Sequence, residues 1–288
     1  MDTVKYIMAD WFNLMMVGLL ILFEIIAISF YLGACYFLGK RLMVSGEEPA
    51  KNYLRYVYIF GIIAIIFHGL ILSSTIFSTK APDMGFYNAL SLVGWCISLL
   101  IIIISFFKPI ENLGLVIFPI SALSIFLDLL FPGGHHILTA SIPIGIKIHI
   151  LLSIFAYSLL TIAALQAVLL GIQDRQLTKK HPSSIMRLPP MQVMEDLLIQ
   201  IIWAGFFMLS LSLVTGMMFI HDIMSQHLVH KTVLSIFAWL IFGILLWGRW
   251  QQGWRGMRAI RWTIGGFISL MLAYFGSKFV LELILHRV

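Results

Sequence analysis

The stretch Ile97-Ser-Leu-Leu-Ile-Ile-Ile-Ile-Ser-Phe-Phe107 decides the class of this chain. It carries no charge and no alternation of polar with apolar positions, and the uncharged run extends back to Ala89. About 20 mostly apolar residues are what a helix needs to cross the hydrocarbon core of a bilayer. Lipid offers no hydrogen bonds to a bare backbone, so a segment of this kind is a helix. A membrane strand would need a closed barrel and alternating polarity along its length.

Segments like it recur on either side. Apolar spans are expected at about 14–38, 57–77, 89–107, 113–131, 146–172, 197–220, 232–250 and 262–285. Lys108-Pro109, Pro132-Gly133-Gly134 and the charged run from Arg249 to Arg261 punctuate them, and Pro119 falls inside the fourth. The fold class this predicts is all-α: a polytopic bundle of about eight transmembrane helices in one membrane domain. A two-helix region over residues 1–88 would precede a six-helix core over 89–288. Composition agrees, since 60% of the 288 residues are hydrophobic and 11% charged. Mean hydropathy is +0.99, whereas soluble domains carry roughly a quarter charged residues. The first apolar stretch is too long for a signal-peptide core and lacks a basic start, so it reads as a retained helix.

Basic residues set the expected orientation. With the N-terminus outside, the inner loops hold 13 of the 19 Lys and Arg, from Lys40 and Arg41 through Lys179 and Lys180 to Arg261. The outer side holds Lys5, Lys80, Lys147, Lys231 and Arg287, and Lys278 falls within the last span. This asymmetry predicts both termini outside. It also accounts for the net charge of +6 through contact with anionic lipid rather than nucleic acid.

Chemistry-bearing residues are few. Cys35 and Cys96 are too few for a disulfide framework and read as apolar fillers. There is no CxxC, HExxH, GxGxxG, phosphate-binding loop or nucleophilic triad, so neither dithiol reduction nor ATP hydrolysis is expected of this chain. Of nine histidines, His135, His136, His149, His221, His227, His230 and His286 fall on or near the outer side in this topology. His135, His136 and His221 read as solvated loop residues. His149 opens the fifth span and is followed by Ser153, Ala156, Ala163, Ala164, Ala167 and Gly171, a small-residue stripe that lets helices approach closely. That points His149 into the bundle, as a ligand or as a packing residue. His227 and His230 share a face if helical. His68 lies mid-span and needs a partner. Glu24, Asp128, Lys278 and Glu282 are further ionisable groups in or near spans; the last two, four apart, can pair on one face, as a structural pair or as a relay. The tryptophans from Trp239 to Trp262 read mainly as an interfacial belt.

Several motifs together resemble the cytochrome c assembly (haem-handling) membrane proteins. They are Leu188-Pro-Pro-Met-Gln-Val-Met-Glu195, Ala204-Gly-Phe-Phe207, Leu211-Ser-Leu, Thr215-Gly216, Gln252-Gly-Trp-Arg-Gly-Met-Arg-Ala259, Gly266-Phe267 and Tyr274-Phe-Gly276. The resemblance covers roughly residues 89–286. The CcsA- and CcmC-type branch carries a tryptophan-rich WWD segment between the helices that match the sixth and seventh here. This chain has His221-Asp-Ile-Met-Ser-Gln-His-Leu-Val-His230 in that place, with no tryptophan. It therefore resembles the shortened YpjD/HemX-like branch.

The resemblance implies a haem-interacting accessory protein of cytochrome c or haem-protein assembly in a bacterial inner membrane, holding haem non-covalently at the outer face. His149 matches the family's outer axial ligand. His286 falls near its second outer histidine, about one register off, and His68 corresponds in position to an intramembrane histidine of the family, which makes it a further candidate for haem binding. His230 is a candidate from its position alone. The expected cofactor is haem, with no metal other than its iron. Expected partners are the bilayer, haem and proteins of cytochrome assembly or haem biosynthesis. Two other classes fit the residues: a regulatory or scaffold protein acting through basic inner loops, and an ion or small-molecule transporter using Glu24, His68 and Asp128.

Overall fold

The computed structural model describes residues 2–44, 46–76, 85–131, 143–178, 189–219 and 226–276, and every regular element within them is helical. In chain order these are α1 (Asp2–Met43), α2 (Glu47–Ile76), α3 (Phe86–Ser105), α4 (Gly114–Leu130), α5 (Ile144–Thr178), α6 (Met191–Phe219), α7 (Gln226–Gln252) and α8 (Met257–Met271). A single 3-10 turn, Glu111–Leu113, leads into α4, and a π-helical turn, Leu272–Gly276, ends α8. Eight helices among the described residues are long and apolar enough to cross a membrane. The chain is a multi-pass helical membrane protein.

Several helices outrun the apolar spans. α2 begins at Glu47 rather than near Val57, and α8 at Met257 rather than at Trp262. The physical reason is that polarity does not stop a helix; backbone geometry does. Gly46 sits at φ 114° and Gly256 at φ 56°, in left-handed conformations that side chains resist. Helical geometry starts immediately after each. Glu47 and Glu48 then occupy the first turn of α2, where negative charge complements the helix dipole.

The chain divides into two compact units: Met1–Ile102 with Gly114–Ala140, and Ile103–Leu113 with Ser141–Val288. In the first, α1 packs against α2 and α4. Tyr31, Ala34 and Leu38 on α1 are wholly buried, and Tyr31 stacks on Phe118 of α4 at 5.9 Å. Pro119 inside α4 has no N–H, which deprives the Leu115 carbonyl of its intrahelical donor. The Cys35 thiol of α1 donates to that carbonyl at 3.7 Å. Cys35 thus does more than fill space: it answers a backbone group that lipid cannot.

In the second unit α5 packs along α6 and against α8, and α7 against α6 and α8. The pairs are antiparallel. Gly145 at the start of α5 lies under Phe219 at the end of α6, and Gly205 lies under Leu160. Gln166 farther along α5 bonds the Met194 carbonyl near the start of α6. Trp239 of α7 bonds Ser210 of α6 at 2.8 Å, and Ser269 of α8 bonds the Leu234 carbonyl of α7 at 3.0 Å. Ala156, Ala163, Ala164 and Ala167 are at most 5% exposed, while Leu151, Val168 and Ile172 face outward. Small residues bring the α5 backbone close to its neighbours and large ones meet lipid.

Candidate functional site

His149 lies six residues into α5 and leans across to the last turns of α6. Its Nδ1 is 2.8 Å from the Ser212 carbonyl oxygen. A carbonyl only accepts, so this contact assigns the proton to Nδ1 and the lone pair to Nε2. Three neighbours hold the arrangement. The Thr215 hydroxyl donates to the Ser212 and Leu211 carbonyls at 3.0 and 2.8 Å. Ser153 donates to the His149 carbonyl at 2.7 Å, and its hydroxyl also lies 2.7 Å from that of Ser212. Gly216 leaves room for the ring, since a β-carbon there would sit 2.9 Å from His149 Cε1. The imidazole is half-buried, fixed on one nitrogen and chemically open on the other. A backbone carbonyl on the far nitrogen is the usual way to set the tautomer and orientation of a metal-binding histidine.

The α6 partners were missed in the sequence, although Thr215-Gly216 stood among the family motifs. A signal was available: Ser212 and Gly216 are small residues four apart on one helix face, a spacing that lets a neighbouring helix come close.

Farther along the same helix Tyr157 meets an aromatic group on the α8 segment. Phe267, Tyr274 and Phe275 lie 6.0, 6.3 and 5.4 Å from its ring. Tyr274 and Phe275 belong to the π-helical turn. Its wider winding sets successive side chains closer together around the axis, which turns both toward α5.

The other candidate histidines differ from His149. His68 is wholly buried in the first unit. Its Nδ1 lies 3.2 Å from the Tyr31 hydroxyl and its Nε2 3.0 Å from the Ser91 hydroxyl. Both nitrogens are engaged, tying α1, α2 and α3 together. His230 is exposed in the second turn of α7. Because α5, α6 and α7 alternate in direction, it lies at the same end of the second unit as His149. His286, like Lys278 and Glu282, lies outside the described residues. Among the described residues no three His, Cys, Asp or Glu side chains gather as a metal site.

The opposite end of the second unit is held by a polar latch. Glu195, in the first turns of α6, is buried. One carboxylate oxygen accepts from Arg255 Nε at 2.8 Å and the other from the Gly256 N–H at 2.6 Å. The hydrogen bond and charge of Glu195 push the Arg255 guanidinium above its already high ordinary range, with Asp196 adding a smaller pull. Asp196 accepts from Arg249 at 3.0 Å, and Arg249 also donates to the Trp254 carbonyl at 3.2 Å. Trp254 lies over Gly248, where a β-carbon would come within 2.5 Å of the ring. Two family motifs distant in sequence, around Glu195 and around Trp254, thus meet in space.

A family model described as Cytochrome C assembly protein matches residues 56–285. The inner membrane protein YpjD of Escherichia coli strain K12 is 34% identical over 256 residues, covering 86% of this chain and 95% of that protein. An uncharacterized 28.8 kDa protein of Azospirillum brasilense, from a nifR3-like 5′ region, is 34% identical over 145 residues, 49% of this chain and 54% of that protein. No solved structure matches the chain significantly. The matched region takes in His68, His149 and His230 and stops one residue short of His286. A match running from α2 past α8, with a relative aligned over nearly its whole length, means that the chain belongs to the cytochrome c assembly family, in its YpjD type.

Proposed function

We propose that this protein is a haem-interacting accessory factor of cytochrome c or haem-protein assembly, holding haem non-covalently at the outer face of a bacterial inner membrane. Family membership supports a haem-related membrane role, and the relative YpjD is an inner membrane protein by name. The observation that carries the finer reading is the His149 imidazole, with Nδ1–H committed to the Ser212 carbonyl and the Nε2 lone pair left for iron. The donor chemistry suits haem, whose iron takes neutral imidazole as an axial ligand. His230, at the same end of the unit, or His286 would supply the opposite ligand. The aromatic group around Tyr157 offers apolar surface to a porphyrin, and Lys231 or Arg287 would meet propionates. The protein binds and orients; no bond is made or broken, so it does not act as an enzyme in this reading.

The test is an absorption spectrum of protein purified from haem-replete cells in mild detergent. A Soret band with low-spin features is expected. His149→Ala should lose haem or give a five-coordinate spectrum, because axial ligation sets the electronic state of the iron. Gly216→Ala should weaken retention by pushing the ring off its seat, while Ser212→Ala, which keeps the carbonyl, should retain it. Of His230→Ala and His286→Ala, one should behave like His149→Ala. Wild-type protein without a Soret band would overturn the reading.

A further inference from the structure

The interior of the first unit is more polar than helix packing in lipid requires. Near the end where α3 begins and α4 finishes, the Asn88 amide, oriented with its NH2 toward Asp128, lies 3.0 and 3.3 Å from the two carboxylate oxygens. Asn88 is the third residue of α3 and Asp128 the third from the end of α4, so this pair lies close to one face. Deeper in, His68 bridges Tyr31 and Ser91. Deeper still, Ser98 and Ser121 bond each other at 2.8 Å, and Ser121 bonds the Gly94 carbonyl at 3.0 Å. Beyond them Leu38, Ile101, Ile117 and Phe118, each at most 2% exposed, close the interior with apolar surface. Among the described residues the polar tract ends there.

One member of this tract is unsatisfied. Glu24, two turns before Tyr31 on α1, is 9% exposed, and its Oε2 is fully buried with no hydrogen-bond partner. The Cys35–Leu115 and Tyr31–Phe118 contacts run α1 antiparallel to α4, which brings Glu24 near the level of Asp128, also 9% exposed and of like sign. The other buried titratable groups in this interior are Tyr31 of α1, His68 of α2 and Cys96 of α3, and α3 also contributes the neutral Asn88. No Lys or Arg is among the buried residues described. Along α1 the nearest described cation, Lys40, is 16 residues on, about 24 Å at the helical rise. A bare carboxylate in a low-dielectric interior is strongly disfavoured, and two together more so. An intramembrane carboxyl of this kind needs a positive partner, and the chain's described residues supply none.

We propose that Glu24, beside Asp128, is an intramembrane binding site for one small monovalent cation, a proton or an alkali ion, entered from the face where α3 begins and α4 ends. Asn88 supports the charge on Asp128, and the cation answers the charge on Glu24. Because the tract closes below Ser98 and Ser121, the site binds and releases its ion on one side and does not conduct it across. It lies in the first unit and is independent of the haem reading, which rests on the second.

Thermal unfolding of the full chain in mild detergent tests this, because a ligand that binds only the folded state raises Tm with its concentration. One series replaces choline chloride by sodium chloride at constant ionic strength and alkaline pH; the other varies pH without sodium. Wild-type Tm should move by several degrees along one series, Glu24→Gln should abolish that dependence, and Asp128→Asn should reduce it. A response to sodium assigns an alkali ion, and a response to pH alone assigns a proton. Parallel profiles for wild type and both variants in both series would overturn the proposal. Carbodiimide labelling guards against variants that fail to fold. Glu24 of the wild type should form an adduct that sodium or alkaline pH suppresses, and no adduct at Glu24 under any condition would also overturn it.

Discussion

At the scale of single residues, the described polar groups of this protein mostly answer one another across helices. His68 is the clearest case, with a hydroxyl on each nitrogen and no exposed surface. Replacing it by leucine keeps the volume and strands the Tyr31 and Ser91 hydroxyls. Each buried group left unmatched costs about 1–3 kcal/mol. His68→Leu should therefore lower the unfolding temperature in detergent markedly, and Ser91→Ala, which removes one bond, should lower it less. Equal stability of wild type and His68→Leu would mean that the bridge contributes nothing. The same reasoning separates the two histidines described inside the bundle units: His68 has both nitrogens occupied, whereas His149 has one fixed and one open.

At the scale of elements, helix ends and helix contacts carry the specificity. The α7–α8 turn needs Gly256 at φ 56° and ψ −136°, and its N–H is taken by the buried Glu195 carboxylate. Hydrogen bonds to charged groups contribute about 1.5–3 kcal/mol. Glu195→Ala should then loosen the turn, seen as faster amide exchange over residues 253–258 with α6 retained. Unchanged exchange there would show that the turn holds itself. The α5 stripe makes a second case. Ala163 is wholly buried in a helix that packs on α6 and α8, and overpacking of a tight contact costs about 1–3 kcal/mol. Ala163→Leu should reduce folded yield and melting temperature, whereas Val168→Leu, on the outward face, should leave both unchanged.

At the scale of the whole molecule, the described basic residues of α5 to α8 separate by end. Arg175, Arg249, Arg255, Arg258 and Arg261 belong to the end of α5, the end of α7 and the start of α8. Lys147 and Lys231 belong to the opposite end, with His149 and His230. Basic residues are retained on the cytoplasmic side, so the proposed orientation puts the arginine-rich end inside and the histidine end outside, with both termini outside. Single cysteines introduced by Ser183→Cys and Gln252→Cys, with Cys35 and Cys96 replaced by serine, should then resist a membrane-impermeant maleimide in intact cells. They should react in inverted vesicles. Labelling of either site from outside would reverse the orientation and move His149 to the cytoplasmic face.

The sequence by itself determined the number and class of the elements, because transferring apolar side chains from water to lipid is a one-body effect. A run such as Ile97–Phe107 has only one stable answer, whatever surrounds it. It was also enough for the family and for turning His149 toward a neighbouring helix, since its place at the head of a small-residue stripe is a local feature. Helix limits were less legible, since polarity marks the membrane boundary while a glycine at positive φ marks the end of the helix, and at Gly46 and Gly256 the two differ. Pairing was decided by the tertiary structure alone. Cys35 with Leu115, His149 with Ser212 and Glu195 with Arg255 are separated by 80, 63 and 60 residues. A hydrogen bond is a two-body term, short in range and directional. Hydrophobic periodicity says how deep a polar group lies and which face it takes, but only packing brings the particular donor to the particular acceptor.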